Sequence, residues 1–282
     1  YLEWRGELLS TTGVVIAMNV KTGEILAMVS IPSYENNRMA QFIPGYYYEQ
    51  LSIDEAKPLL NKAISSELPP GSVFKMATAI GALNEGVVKP DFMIDDPGRI
   101  TLAQKFIEGE RITMTQDYVC WDREGHGAVD FIHGIAWSCN VYFYKIGGGY
   151  EGEVADNGLG IWRMGEYARA LGYGQLTGIE LPGEADGLLP NPTWKRLNQG
   201  ENWATGDTYL AAVGQGYVLA TPLQVLHSIA TLANDGKHMQ VSLVSQISDS
   251  HGNIIKSFEP TMLWDITKDE VIESYNGNNK TG

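Results

Sequence analysis

Pro69-Pro70-Gly71-Ser72-Val73-Phe74-Lys75 stands directly before the apolar run Met76-Ala77-Thr78-Ala79-Ile80-Gly81-Ala82-Leu83, and this junction decides how the chain is read. Two prolines and a glycine stiffen the approach, and a serine ahead of an apolar-periodic segment signals a helix start. A helix opening at Ser72 places Lys75 one turn on, on the face that carries the hydroxyl. Serine is a poor nucleophile until a base takes its proton, and an amine held one turn away is such a base. The free N–H groups of the first turn also favour the negative charge that develops when a carbonyl is attacked. Taken alone, Ser-x-x-Lys reads equally well as a capping serine beside a solvated lysine. Its setting favours the nucleophile, and the pattern occurs nowhere else in the chain.

Ser138-Cys139-Asn140 is a second polar set, inside or at the end of a stretch with helical spacing, residues 129–146. A hydroxyl there can relay a proton between the lysine and a leaving amine. An asparagine two residues on can hydrogen-bond a substrate amide and hold the lysine. On its own the set reads as a polar helix end. A third element, Lys-Thr-Gly on a strand, would present a cation and a hydroxyl to a substrate carboxylate. Lys21-Thr22-Gly23 lies in a tight turn before the nucleophile and reads as structural. Lys280-Thr281-Gly282 has the right order along the chain and is the candidate substrate-binding triplet. Its approach, Glu273-Ser274-Tyr275-Asn276-Gly277-Asn278-Asn279, carries turn chemistry and not that of a buried strand.

The chain has 282 residues, enough for one large domain or two modest ones, with 44% hydrophobic and 19% charged residues. A formal net charge of −14 leaves no basic stripe for nucleic acid and no polybasic patch for a membrane surface. No apolar run approaches the ~20 residues that span a bilayer. Tyr1-Leu2-Glu3-Trp4-Arg5 does not read as a signal peptide, so a domain cut from a longer protein is expected. The spacing predicts a hairpin of residues 14–20 and 24–30, apolar enough to be covered by helices. Residues 33–50 read as loop or short helix, and the Ser72 helix ends near Asn84-Glu85-Gly86. Short strands and loops are expected over 97–127, helices over 161–171, 208–216 and 222–234, and a second hairpin of 241–247 with 254–258.

Further short motifs stand around these sites. They are Gly23-Glu24-Ile25-Leu26-Ala27-Met28-Val29-Ser30, Pro32-Ser33-Tyr34, Gly125-His126-Gly127 and Gly178-Ile179-Glu180-Leu181-Pro182-Gly183-Glu184. Gly206-Asp207-Thr208 and Ala212-Val213-Gly214-Gln215-Gly216 follow, and then Ala220-Thr221-Pro222-Leu223-Gln224. Ser-x-x-Lys, a Ser-x-Asn set and Lys-Thr-Gly are a signature shared by penicillin-binding proteins and class A β-lactamases. Over residues 8–258 the chain resembles the transpeptidase domain of a class B penicillin-binding protein of the elongation (penicillin-binding protein 2) type.

The resemblance implies an α/β (α+β) fold of the penicillin-binding protein/serine β-lactamase type: a mainly antiparallel sheet covered by helices, plus a mainly helical subdomain. It implies that residues 1–282 are one transpeptidase domain lacking its N-terminal membrane anchor and pedestal and part of its C-terminal catalytic segment. The implied activity is serine D,D-transpeptidation. Ser72 attacks the penultimate D-alanine carbonyl of a peptidoglycan stem peptide, Lys75 is the general base, and Ser138 and Asn140 handle the leaving D-alanine and the donor. The implied partners are stem peptides, β-lactams that acylate the same serine, a membrane glycosyltransferase and elongation-complex proteins, with no nucleic acid. The implied place is the periplasmic side of a bacterial inner membrane. Other classes compatible with the serine and lysine are a β-lactamase-like hydrolase and a non-catalytic penicillin sensor or scaffold. No cofactor is required for catalysis. Some elongation-type members hold a zinc ion, and their ligand positions read here Asp96, Cys120, His126 and Cys139. That set suits tetrahedral zinc. A disulfide, two buried inert thiols and a histidine that satisfies a turn are the alternatives.

Overall fold

The structure, a computed structural model, describes residues 2–4, 7–105, 113–155 and 157–272. They form two compact units, one drawn from the described residues of 2–68, 175–187 and 220–265, the other from those of 69–174, 188–219 and 266–272.

In the first unit the expected hairpin is present, with Gly13–Met18 antiparallel to Ile25–Ile31 and Ile16 opposite Met28. Gly23, at φ +81°, closes the turn, and its N–H donates to the Asn19 carbonyl at 2.8 Å. Lys21-Thr22-Gly23 is therefore a turn, in keeping with its structural reading. Alternation turns Val14, Ile16, Met18 and Met28 onto buried Ala63, Ile64, Ile179, Leu223 and Val241. Two helices cover that face, Lys62–Ser65 and Pro222–Ala233. The opposite face, with Val15 paired to Val29, is exposed among the described residues, so helical cover is one-sided there. Thr221 and Gln224 form a capping box before Pro222, which fixes where the longer helix begins. The second hairpin is shorter than expected, Gln246–Ser248 with Ile254–Ser257.

The second unit is mainly helical. Its centre is the helix Asn140–Gly148, in which Val141, Tyr142, Phe143 and Ile146 are fully buried. Burying Val141, Phe143 and Ile146 contributes about 1.5–3 kcal/mol each relative to exposure. A helix buried on nearly every side must be enclosed, and Lys75–Asn84, Ile161–Ala170 and Thr205–Ala212 pack around it. The expected single helical stretch over 129–146 is two helices, Phe131–Ala136 and Asn140–Gly148, because the chain turns sharply at Ser138. Residues 97–127 hold a longer ladder than expected, Arg99–Lys105 with Thr113–Val119, beside the short pair Ile94–Asp96 and Gly127–Val129. The helix expected over 208–216 runs Thr205–Ala212. Pro192–Gln199 is an unexpected helix.

Candidate active site

Pro69 and Pro70 lead into a 3-10 turn, Gly71–Phe74, and the α-helix Lys75–Asn84 continues from it. The α-helix thus begins three residues later than the Ser72 start predicted from the spacing. In a 3-10 turn residues three apart eclipse, which keeps the Ser72–Lys75 relation that the spacing promised. The Gly71 N–H donates to the Gly214 carbonyl at 2.8 Å, and Phe74 is buried edge-on to Tyr173 at 5.1 Å. These contacts hold the turn from both sides. Ser72 is exposed, whereas Lys75 is only 3% exposed.

The Lys75 amine donates to the Ser138 carbonyl at 2.7 Å, to Ser138 Oγ at 2.9 Å and to Asn140 Oδ1 at 2.6 Å. It also lies 5.4 Å from the centre of the Phe143 ring, one turn along from Asn140. Burial pushes the amine down to about 8, against a smaller upward pull from the Cys139 and Cys120 thiols. An ammonium has three N–H donors and a neutral amine two, so loss of one proton frees a lone pair in this cluster. Ser138 and Asn140 are therefore brought to Lys75 as expected. Among the described residues the Ser72 hydroxyl has no hydrogen bond, and the three partners of the amine all come from the second motif.

Ser138 takes φ +52°, a left-handed conformation that costs a non-glycine residue about 1–2 kcal/mol. The Trp137, Ser138 and Cys139 N–H groups donate to the His133, Ile135 and Gly134 carbonyls at 2.9–3.0 Å, which fixes the turn. Cys139 then caps the next helix, its Sγ accepting from the Tyr142 N–H at 3.3 Å. Asn140 Nδ2 donates to the Val119 carbonyl at 3.5 Å. Spacing alone missed Phe143 and Val119. The i, i+3 relation of Asn140 and Phe143 was the available signal for the first, and nothing in the sequence marked the second.

Asp96, Cys120, His126 and Cys139 come from four separate segments, and their ligand atoms lie within 4.8 Å of one another. His126 Nδ1 is 2.7 Å from Asp96 Oδ2, Cys139 Sγ donates to the same oxygen at 3.1 Å, and Cys120 Sγ is 3.6 Å from His126 Nδ1. Both thiols are free. Their hydrogen bond holds the Cys120 thiol down to about 6 and, with burial, pushes the Cys139 thiol up. Burial raises the Asp96 carboxyl, but hydrogen bonds from His126, Cys139 and the Gly98 N–H outweigh it and hold the group below its ordinary range. His126 Nε2 is buried and has no partner among the described residues. One carboxylate, two thiols and one imidazole thus stand together, a donor set of the kind that tetrahedral zinc takes. Lys280, Thr281 and Gly282 lie outside the described residues.

A family model described as the penicillin binding protein transpeptidase domain matches residues 13–275. The chain belongs to that family. This transpeptidase domain is 36% identical over 236 residues to the peptidoglycan D,D-transpeptidase MrdA of Acinetobacter baumannii, covering 83% of this chain and 32% of that protein. The MrdA of Haemophilus influenzae is 34% identical over 259 residues, 92% of this chain and 37% of that protein. The chain thus spans about a third of the length of these curated relatives. Among solved structures, Pseudomonas aeruginosa PBP2 in complex with WCK 5153 matches with TM-score 0.73 and 31% identity, over 93% of this chain and 56% of that one. A complex between PBP2 and MreC from Helicobacter pylori matches with TM-score 0.70 and 31% identity, over 82% and 40%. The transpeptidase domain accordingly has the penicillin-binding protein/serine β-lactamase-like fold and is of the elongation type. The family needs no cofactor for its serine chemistry.

Proposed function

We propose that this domain is a serine D,D-transpeptidase that cross-links peptidoglycan stem peptides through an acyl-enzyme on Ser72, and that β-lactams acylate the same hydroxyl. The reading is carried by Lys75, a buried amine held by three neutral acceptors and brought down to about 8, one short turn from an exposed serine. In its neutral form Lys75 takes the Ser72 proton as Oγ attacks the penultimate D-alanine carbonyl. The Ser72 N–H, in the first turn of the helix, faces the developing oxyanion. Ser138, hydrogen-bonded to the amine, passes the proton on to the leaving D-alanine. Asn140 aligns the donor amide and keeps the lysine in place. An amine of a neighbouring stem peptide then attacks the ester and restores the serine. A β-lactam opens its ring on Ser72 and has no leaving group to diffuse away, so the ester persists.

The names of the relatives support the activity and the partners: MrdA proteins are named peptidoglycan D,D-transpeptidases, and a PBP2 is seen with MreC. Elongation-complex proteins, a membrane glycosyltransferase and the periplasmic side of the inner membrane are proposed on the same ground. Among the described residues no helix is long and apolar enough to cross a membrane. The decisive test is labelling with a fluorescent penicillin. The wild type is expected to form a stable covalent adduct and Ser72→Ala none. Equal labelling of both would refute the nucleophile, and an adduct hydrolysed within seconds would recast the domain as a β-lactamase.

The donor set of Asp96, Cys120, His126 and Cys139 fits zinc, with two thiols, one carboxylate and one imidazole converging on a buried point. When bound, zinc supplies a structural cross-link that ties Cys139, and with it Ser138 and Asn140, to the strand end at Asp96. Elemental analysis is expected to find one zinc per chain, and Cys120→Ser to lose it together with several degrees of thermal stability. Metal-free protein of full stability would refute the site.

A further inference from the structure

Trp121 is 61% exposed, too open to belong to the core, yet its indole Nε1–H donates to the Trp137 carbonyl at 2.8 Å. That carbonyl belongs to the peptide entering Ser138, the residue at φ +52°. A non-glycine residue in the left-handed region keeps that conformation only where its surroundings over-determine it. The Ser138 carbonyl and hydroxyl both accept from Lys75, so the tilt of this one residue sets two of the three contacts of the amine. The third contact runs through Asn140, whose side-chain amide donates to the Val119 carbonyl. One short segment, residues 119–121, therefore grips both ends of the Ser138–Asn140 turn. Its middle residue is itself anchored, the Cys120 N–H donating to the Gly98 carbonyl at 2.8 Å.

We propose that Trp121 is a positioning residue for acyl transfer: its indole N–H fixes the peptide plane ahead of Ser138 and so sets how the Ser138 hydroxyl and carbonyl meet Lys75. The inference rests on the acyl-transfer reading of Ser72 and Lys75. Without the indole donor the Trp137 carbonyl turns to water, the left-handed residue relaxes, and the hydroxyl leaves its line between the amine and the substrate. Trp121 touches no reacting atom in this scheme and acts only through the turn.

The test replaces Trp121, in the full-length protein, with β-(3-benzothienyl)alanine, which keeps the shape of the ring and puts sulfur in place of N–H. Trp121→Phe is the companion variant. Acylation by a fluorescent β-lactam is resolved into the dissociation constant of the first complex and the rate constant of ester formation. The benzothienyl variant is expected to lose about three- to tenfold in that rate constant, the worth of one neutral hydrogen bond. The dissociation constant and the thermal midpoint are expected to hold. An unchanged rate, a loss confined to the Phe variant, or a loss confined to the dissociation constant would overturn the proposal. A thermal midpoint falling in step with the rate would also overturn it, since the contact would then be merely structural. Wild type that shows no Ser72-dependent acylation removes the underlying reading, whereas wild type that acylates beside an equally fast benzothienyl variant removes this inference alone.

Discussion

Lys75 and Lys195 lie in the same unit and both have little exposed surface, 3% and 6%, but they face different company. Lys75 meets a carbonyl, a hydroxyl and a side-chain amide, all neutral. Lys195 meets Asp207 Oδ2 at 2.7 Å and Glu201 at 3.4 Å. Burial acts to lower both amines. It prevails at Lys75, and at Lys195 the Asp207 carboxylate outweighs it and holds the ammonium above its ordinary range. Asp207 also accepts from the Ala204 N–H at the start of the helix Thr205–Ala212, so the Lys195 pair is part of the frame. Burial alone thus does not mark a base. What sets Lys75 apart from Lys195 is that its three hydrogen-bond partners are all neutral.

The contrast breaks most severely at Lys75→Arg, because a guanidinium keeps its proton. Acylation by penicillin is expected to fall about 10²–10⁴-fold with the thermal midpoint little changed. Acylation at the wild-type rate would remove Lys75 from the chemistry. Lys195→Met should do the reverse. Leaving the half-buried Asp207 without its cation costs about 1–3 kcal/mol, read as a lower denaturant midpoint, while the folded fraction acylates normally. A stable Lys195→Met protein that cannot be acylated would erase the division between base and frame.

Smaller and sharper is the pH profile. Neutral Lys75 is the active form, so the wild-type acylation rate should climb with pH and level off above about pH 8. Roughly one amine in ten is then neutral at pH 7. Asn140→Asp gives Lys75 the kind of partner that Lys195 has, and should carry the rising limb about one pH unit or more higher. A limb that stays put would mean that the company of the amine does not set its proton affinity.

The nucleophile and its base were legible because one short segment carries both, and a one-turn spacing survives the change from α to 3-10 geometry. The core of the helix Asn140–Gly148 was legible in its run of apolar residues, but the break before it was not, since nothing in Trp137-Ser138-Cys139 announces a left-handed serine. Asp96, Cys120, His126 and Cys139 meet through tertiary packing, and only the family resemblance joined them beforehand. The helix Pro192–Gln199 carries clear end signals, with Asn191 as cap, Pro192 next and Gly200 in the left-handed region after it. Its mostly polar face hid it from a reading led by hydrophobic period.

Gly214 has φ +68°, its carbonyl holds the Gly71 N–H, and a Cβ there would overlap the Gly71 carbonyl oxygen and crowd Phe74. Any larger residue would displace the segment bearing Ser72 at its root. If Ser72 carries the acyl-enzyme, a change at position 214 would therefore disturb every acyl donor alike, although that position presents no side chain to any ligand.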